Sequence, residues 1–390
     1  MIVSISKEIQ QLRHELIKLR RDFHTHPELG LKEIRTACAI EDYLTALGIS
    51  VRRCAGTGVI GVLKGGKPGK TIMLRCDIDA LPIYEQTGLH FSSQNPGVMH
   101  ACGHDGHIAM LLITAKILAT QRIEIPGCVM FLFQLNEEDA GAEMMIADGA
   151  LENPRPDAVC GLHLWSPIDT GKIGIVPGPI MASSYYFKVV IKGRGGHGGA
   201  PHMAINPIDT ASPVLTAIKS FQTVELDARF PTVISVCKIH GGTKEIIIPE
   251  TVELEGSIRC LHDQDEAVRR RFKEIVEDVC HAYRCNCSIE FKCGNTMLNN
   301  DGKLTQIVKQ IAREVVGEEN IQTENVSVML GDDFAEFSRR IPGVYYFIGI
   351  GSKEKKTDIE HHSPFFNIDE DTLPIGVEMQ VRLVQEFLGG

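Results

Sequence analysis

Five residues of the types that hold divalent metals are scattered along this chain, each beside a probable strand end or turn. They are Cys102 and His104 in Met99-His100-Ala101-Cys102-Gly103-His104-Asp105, Glu138 in the pair Glu137-Glu138, His163 in Gly161-Leu162-His163, and His362 near the C-terminus. Thiolate and imidazole suit borderline-soft divalent ions. Two adjacent glutamates after an apolar strand allow a division of labour, in which one holds a metal while the other moves a proton. That combination is what metal-assisted hydrolysis requires.

Each signal has a plainer reading when taken alone. Cys102-Gly103-His104 lies in a Gly- and His-rich stretch that would serve as a solvated turn. Glu137-Glu138-Asp139 would pass as a solvated acidic loop, although α/β proteins place ligands at strand C-terminal ends. A histidine inside an apolar strand, such as His163, is more often hydrogen-bonded core than ligand, and His361-His362 is equally ambiguous. Asp77 and Asp79 close an apolar strand, where either caps a turn or orients a ligand histidine from behind.

Positioning these residues falls to an alternation of strands and helices. Residues 5–23 and 36–47 have helical apolar spacing, and Gly48 is a suitable stop. Residues 59–63 and 71–76 read as strands flanking a turn at 64–70. A helix is expected over 107–120, a strand buried on both faces over 127–134, a helix over 142–148 and a strand over 158–164. The composition changes near Ala182. Strand 185–192, helix 206–223 with Pro207 in its first turn, strands 232–240 and 251–261, helix 264–283 and strand 287–293 make the order βαββαβ, a ferredoxin-like arrangement. Helix 304–316, strand 343–350 and helix 373–387 return to α/β. The expectation is an α/β, two-domain protein. A discontinuous catalytic, metal-binding domain covers 1–182 and 295–390, and a dimerisation or lid domain is inserted at 183–294.

Composition bounds the partners. A chain of 390 residues exceeds one ordinary core. Its formal charge of −10 argues against nucleic acid. No apolar run reaches the ~20 residues that span a bilayer; the longest, 108–119, is broken by Thr114 and Lys116. The first ten residues carry Lys7 and Glu8 and lack a signal-peptide core, so a cytoplasmic location is the default. Among the twelve cysteines, Cys38, Cys76, Cys128, Cys160 and Cys237 sit in apolar or strand-like segments and are expected to be reduced and buried, and Cys285-Asn286-Cys287 is read as structural.

Jointly the signals match one pattern. Arg20-Arg21-Asp22-Phe23-His24, Pro27-Glu28-Leu29, Asp77-Ile78-Asp79-Ala80-Leu81-Pro82, the stretch Gly97 to His107, Glu137-Glu138, Gly161-Leu162-His163, Gly195-Gly196-His197-Gly198-Gly199, Gly256-Ser257-Ile258-Arg259 and His362-Ser363-Pro364 are all present. With them the chain resembles the M20 family of metallopeptidases and amidohydrolases, in the branch of N-acyl-amino-acid amidohydrolases, hippurate hydrolases, auxin-conjugate hydrolases and carboxypeptidases. The resemblance implies two divalent metal ions per subunit (manganese, zinc, cobalt or nickel) on Cys102, His104, Glu138, His163 and His362. It implies Glu137 as general base, taking a proton from the attacking water and returning it to the leaving amine. Asp79, and by the same logic Asp105, would orient ligands. His197 would reach a partner subunit's site and stabilise the oxyanion, which implies a homodimer. Arg259 would pair with a substrate carboxylate.

Four positions, in three places, depart from the family pattern. Leu135-Asn136 replace Pro-Ala before the glutamates, Ile246 stands where an asparagine contacts substrate, and Asp332 replaces a glutamate. An isoleucine cannot hydrogen-bond, so altered substrate specificity with an intact hydrolytic core is expected. The expected activity is metal-dependent hydrolysis of the amide of an N-acyl-amino acid or related small conjugate. The alternatives are a carboxypeptidase or dipeptidase using the same site, and a non-catalytic metal- or ligand-binding protein.

Overall fold

A computed structural model describes residues 4–389. Residues 1–3 and 390, assigned above to the catalytic domain, lie outside the described residues. The chain divides into two compact units, Met1–Ile180 with Asn299–Ser327 and Asp332–Gly390, and Met181–Leu298 with Val328–Gly331.

In chain order the first unit contains α1 (Lys7–Thr25), α2 (Ile34–Ala46), β1 (Ser50–Cys54), β2 (Gly58–Lys64), β3 (Lys67–Asp77), α3 (His104–Thr120), β4 (Pro126–Gln134), α4 (Gly141–Ala147) and β5 (Ala158–Asp169). They are followed by β6 (Ile173–Gly174), α5 (Gly302–Val316), β7 (Ile321–Gln322), β8 (Gly343–Gly351) and α6 (Leu373–Gly389). Its sheet runs β1-β2-β4-β3-β5-β8-β6-β7. The centre, β4-β3-β5-β8, is parallel, and β1 and β2 join antiparallel at one side. The central strands are buried without alternation: β3 from Thr71, β4 from Val129, and β5 through Ser166. Unbroken apolar runs of this kind belong to parallel strands covered on both faces.

Helix α3 is buried except at Lys116, Ala119 and Thr120. It approaches β5 closely because Gly106 has no side chain; a Cβ there would fall 2.7 Å from Leu164 Cδ1. The helix begins at His104, three residues before the expected start. Gly103, at φ +90°, turns the chain sharply between Cys102 and His104. The turn expected over 64–70 shrinks to Gly65-Gly66, because β3 already starts at Lys67, paired with Pro126. Strand β1, with Arg52 and Arg53 in its middle, sits at the sheet edge and had no apolar signature. Two cysteine expectations are corrected. Cys38 faces solvent from α2, and Cys237 is exposed at a bulge in an edge strand, while Cys128 is only half-buried.

In the second unit, strands Thr232–Gly241, Thr251–Cys260, Ser183–Lys192 and Asn286–Cys293 lie in that order, each antiparallel to its neighbour. Helices Pro207–Ser220 and Asp265–Ala282 cover one face, burying Phe187, Val189, Ile191, Leu254 and Ile258 with Val214 and Phe272. Asn206 caps the first helix by accepting from Ile208 N at 3.1 Å, ahead of Pro207. Residues 328–331 join this unit through a Met181–Val328 bridge and the Ala182 N–H on Leu330 O, a return that the sequence reading assigned elsewhere. Among the described residues no helix is long and apolar enough to cross a membrane.

Candidate metal centre

The carboxyl ends of β3 and β4, the middle of β5 and the first residue of α3 converge in the first unit. His104 opens α3, and its Nδ1 donates to the Asp79 carbonyl oxygen at 2.9 Å. A carbonyl only accepts, so Nδ1 carries a proton and Nε2 is the ring atom left to meet a metal. His163 repeats the device. Its Nδ1 donates to Leu164 O at 2.7 Å, and its Nε2 faces Cys102 Sγ at 3.5 Å. His362, at φ +64°, is anchored by its N–H on Ala101 O at 2.8 Å, and its Nε2 lies 3.2 Å from Glu138 Oε1.

These side chains form overlapping groups whose donor atoms lie within 4.8 Å of one another: Cys102–His104–His163, Cys102–Glu138–His362 and His104–Glu137–Glu138. Three buried atoms here, His104 Nε2, Glu138 Oε1 and Asp79 Oδ1, have no hydrogen-bond partner. The Glu138–His362 contact is close but lacks hydrogen-bond alignment. Buried polar atoms left open cost free energy unless something else engages them. Sulfur, imidazole and carboxylate donors around such atoms fit divalent transition-metal ions.

Electrostatics points the same way. Burial, then Glu138 and Glu137, push the Cys102 thiol well above its ordinary range, so a cation is needed to hold its thiolate. Burial would lower His104, but Asp77 and Asp79 outweigh it and raise the imidazole to about 10, so without a cation Nε2 also holds a proton, which a bound metal ion would displace. Burial, then Asp332, Glu138 and Asp333, raise the Glu137 carboxyl well above the usual range. That carboxylate is therefore a stronger proton acceptor than a solvated one.

The structure brings Cys102, His104, Glu137, Glu138, His163, His362 and Asp79 together. Asp79 contributes twice, through its carbonyl on His104 and through Oδ2, which accepts Glu138 N–H at 3.1 Å. Asp105 does not orient a ligand as expected. It turns away, accepting from Arg20 Nε and His24 Nδ1, both at 2.8 Å. In the second unit, His197 is exposed on a two-residue strand paired with Ile247, and its Nδ1 accepts Gly199 N–H at 2.9 Å. Its proton therefore sits on Nε2, which is left as a donor. Ile246 is half-exposed, and its carbonyl accepts Gly198 N–H. Arg259 donates from Nη1 to Met329 O at 3.2 Å.

Sequence reasoning missed the buried frame behind the centre. His107 uses both ring nitrogens: Nδ1 donates to Asp77 Oδ1 at 2.6 Å, and Nε2 accepts Leu164 N–H at 3.0 Å. Arg75 is fully buried on β3 and reaches Gln134, Asp77 and Asp333. Asp332 accepts from the Tyr345 hydroxyl and from Phe334 N–H. An arginine inside an apolar strand was the available signal, since a buried guanidinium requires partners.

Comparisons with known proteins agree with this geometry. The family model described as peptidase family M20/M25/M40 matches residues 73–386. Thermostable carboxypeptidase 1 of Saccharolobus solfataricus is 36% identical over 99% of both chains. An N-acyl-L-amino acid amidohydrolase of Geobacillus stearothermophilus is 40% identical over 74% of this chain and 79% of its own. The crystal structure of a Bacillus subtilis protein, described as a dinuclear metal-binding peptidase, superposes with a TM-score of 0.85 at 31% identity, covering 97% of this chain and 99% of that one.

Proposed function

This chain belongs to peptidase family M20/M25/M40 and is a hydrolase of amide or peptide bonds, and on that premise we propose that it cleaves the amide of N-acyl-amino acids with two divalent metal ions. The observation that carries the reading is the convergence of Cys102, His104, Glu138, His163 and His362, with His104 Nε2 and Glu138 Oε1 buried and without hydrogen-bond partners, beside the buried acid Glu137. Cys102 and Glu138 each belong to more than one group, which suits two ions held side by side. Divalent ions there would polarise the scissile carbonyl and acidify the attacking water.

The remaining steps fall to the chain. Glu137 takes the water's proton and delivers it to the leaving nitrogen. Asp79 holds the His104 ring and the Glu138 backbone, so both ligands keep their aim. His197 offers its Nε2 proton to the oxyanion of a neighbouring subunit's substrate, and Arg259 meets the substrate carboxylate. The assembly is a homodimer, and twelve cysteines, seven of them buried, suit a reducing, cytoplasmic compartment. A carboxypeptidase using the same site is favoured by the resemblance to the Saccharolobus carboxypeptidase over nearly its whole length.

The test is amine release from N-acetyl-, N-benzoyl- and indoleacetyl-amino acids and short peptides, using metal-stripped protein with added manganese, zinc or cobalt. Turnover that depends on metal is expected, and the panel separates amidohydrolase from carboxypeptidase. Glu137→Gln should retain metal and lose roughly 10²–10⁴-fold in kcat. Activity persisting in that variant would remove Glu137 from the role of base.

A further inference from the structure

The turn that carries Glu137 and Glu138 hangs from one residue, Asn136. Its backbone is left-handed, at φ +50°, a conformation asparagine tolerates better than most residues. Its carbonyl accepts from Gly141 N at 2.8 Å, and its Nδ2 donates to Asp139 O at 2.9 Å. Its side chain fits only because position 30 is glycine; a Cβ there would lie 1.9 Å from Asn136 Oδ1. The Asn136 N–H donates to Glu33 Oε1 at 2.9 Å.

Glu33 is fully buried and 103 residues away in sequence. It stands at the N-cap of α2, where a carboxylate would ordinarily cap its own helix. It does not. Glu28 supplies those bonds instead, accepting Arg35 N at 3.1 Å and Thr36 N at 2.8 Å. Glu33 is thus free to span outward, with Oε2 fixed by the Thr57 hydroxyl at 2.6 Å and Oε1 on Asn136. On the other side of the same turn, Asp79 Oδ2 holds Glu138 N–H. Two buried carboxylates therefore grip the backbone immediately before and within the Glu137-Glu138 pair.

We propose that Glu33 is a positioning residue, which sets the aim of Glu137 and Glu138 through the left-handed backbone of Asn136. The inference rests on the hydrolase reading above. Neither Glu33 nor Thr57 belongs to a metal-ligating group or to the reacting atoms. Their effect passes through the turn, where a displacement of about 1 Å is worth as much as 100-fold in rate.

The test uses Glu33→Leu in the full chain, loaded with cobalt(II) and assayed on the best substrate of the panel. Leucine accepts from neither Thr57 nor Asn136, so the turn loses this tether. The expected result is a kcat lower by roughly 10- to 100-fold, KM within about 2-fold, unchanged metal stoichiometry, and a shifted visible spectrum of the bound cobalt as Glu138 reorients. Glu33→Asp, which keeps the carboxylate, should recover part of kcat. Should Glu33→Leu fail to fold, Thr57→Val carries the test, with a smaller fall in kcat in the same sense. A kcat and cobalt spectrum both equal to wild type in the folded variant would overturn the inference. A wild-type chain that turns over nothing on the panel would instead strike at the hydrolase reading, so the two failures are distinguishable.

Discussion

Replacing Arg75 with methionine tests the buried frame under the site. The guanidinium donates from Nε to Gln134 Oε1 at 2.8 Å, from Nη1 to Asp77 Oδ2 at 2.8 Å and from Nη2 to Asp333 Oδ1 at 3.1 Å, and it lies 3.2 Å from Asp332 Oδ1. One cation thus serves three buried carboxylates. Methionine fills much of the volume but leaves those carboxylates uncompensated. Breaking a buried pair in this way costs about 3–5 kcal/mol, roughly two to four decades in the folding constant.

Trp165 makes the assay direct. It is the sole tryptophan, nearly buried on β5 and stacked on Phe347 at 4.5 Å, so its fluorescence follows urea unfolding of the first unit. The pH dependence adds a second arm. Burial raises Asp333 to about 8, with Arg75 the largest opposing influence. A carboxyl raised in the folded state contributes stability below its unfolded pKa and loses it as pH rises through the folded value. Removing Arg75 raises it further, so the deficit of R75M should be level from about pH 5 to about pH 8, where Asp333 is protonated in both folded proteins, and grow as pH rises above about 8. A deficit under about 1 kcal/mol in metal-free protein, or one that stays flat above about pH 8, would refute the reasoning.

Two more outcomes follow from the same geometry. His107→Ala leaves Asp77 Oδ1 and the Leu164 N–H without their partner beside His163; metal affinity, measured by chelator competition, should fall roughly 10- to 100-fold, and an unchanged affinity would make His107 mere core. Adding cobalt or nickel to metal-free protein should quench Trp165, whose ring centroid is 5.5 Å from that of His163, and His163→Ala should remove the quenching; a quench that survives the substitution would put the ion elsewhere.

What could be read in the sequence, and what could not, divides by the range of the interactions. Cys102, His104, Glu137 and Glu138 announced themselves because glycine turns and strand ends are written locally, and the central strands because burial on both faces leaves unbroken apolar runs. The tautomers of His104 and His163 were not written locally. They depend on which backbone carbonyl lies beside Nδ1, and that is settled only when β3, β5 and α3 pack. Arg75 meets Asp333 across 258 residues, and Gln134 meets the same aspartate across 199. No period or spacing encodes such pairs. The exposed Cys38 and Cys237 fail for the opposite reason: a small apolar residue reads the same on either side of an amphipathic element, and only the fold decides which side is wet. Asn136 shows how the two ranges meet. As a substitution for alanine it looked like a departure before the catalytic pair, yet its left-handed backbone, the missing side chain at Gly30 and the distant Glu33 carboxylate form one consistent arrangement. The departures at this position and at Ile246 are therefore unlike in kind. Asn136 is absorbed by buried partners, whereas Ile246 remains half-exposed beside the strand that carries His197. Changes that alter the substrate are expected at the second kind of position, because solvent-facing side chains can be exchanged without rebuilding a core.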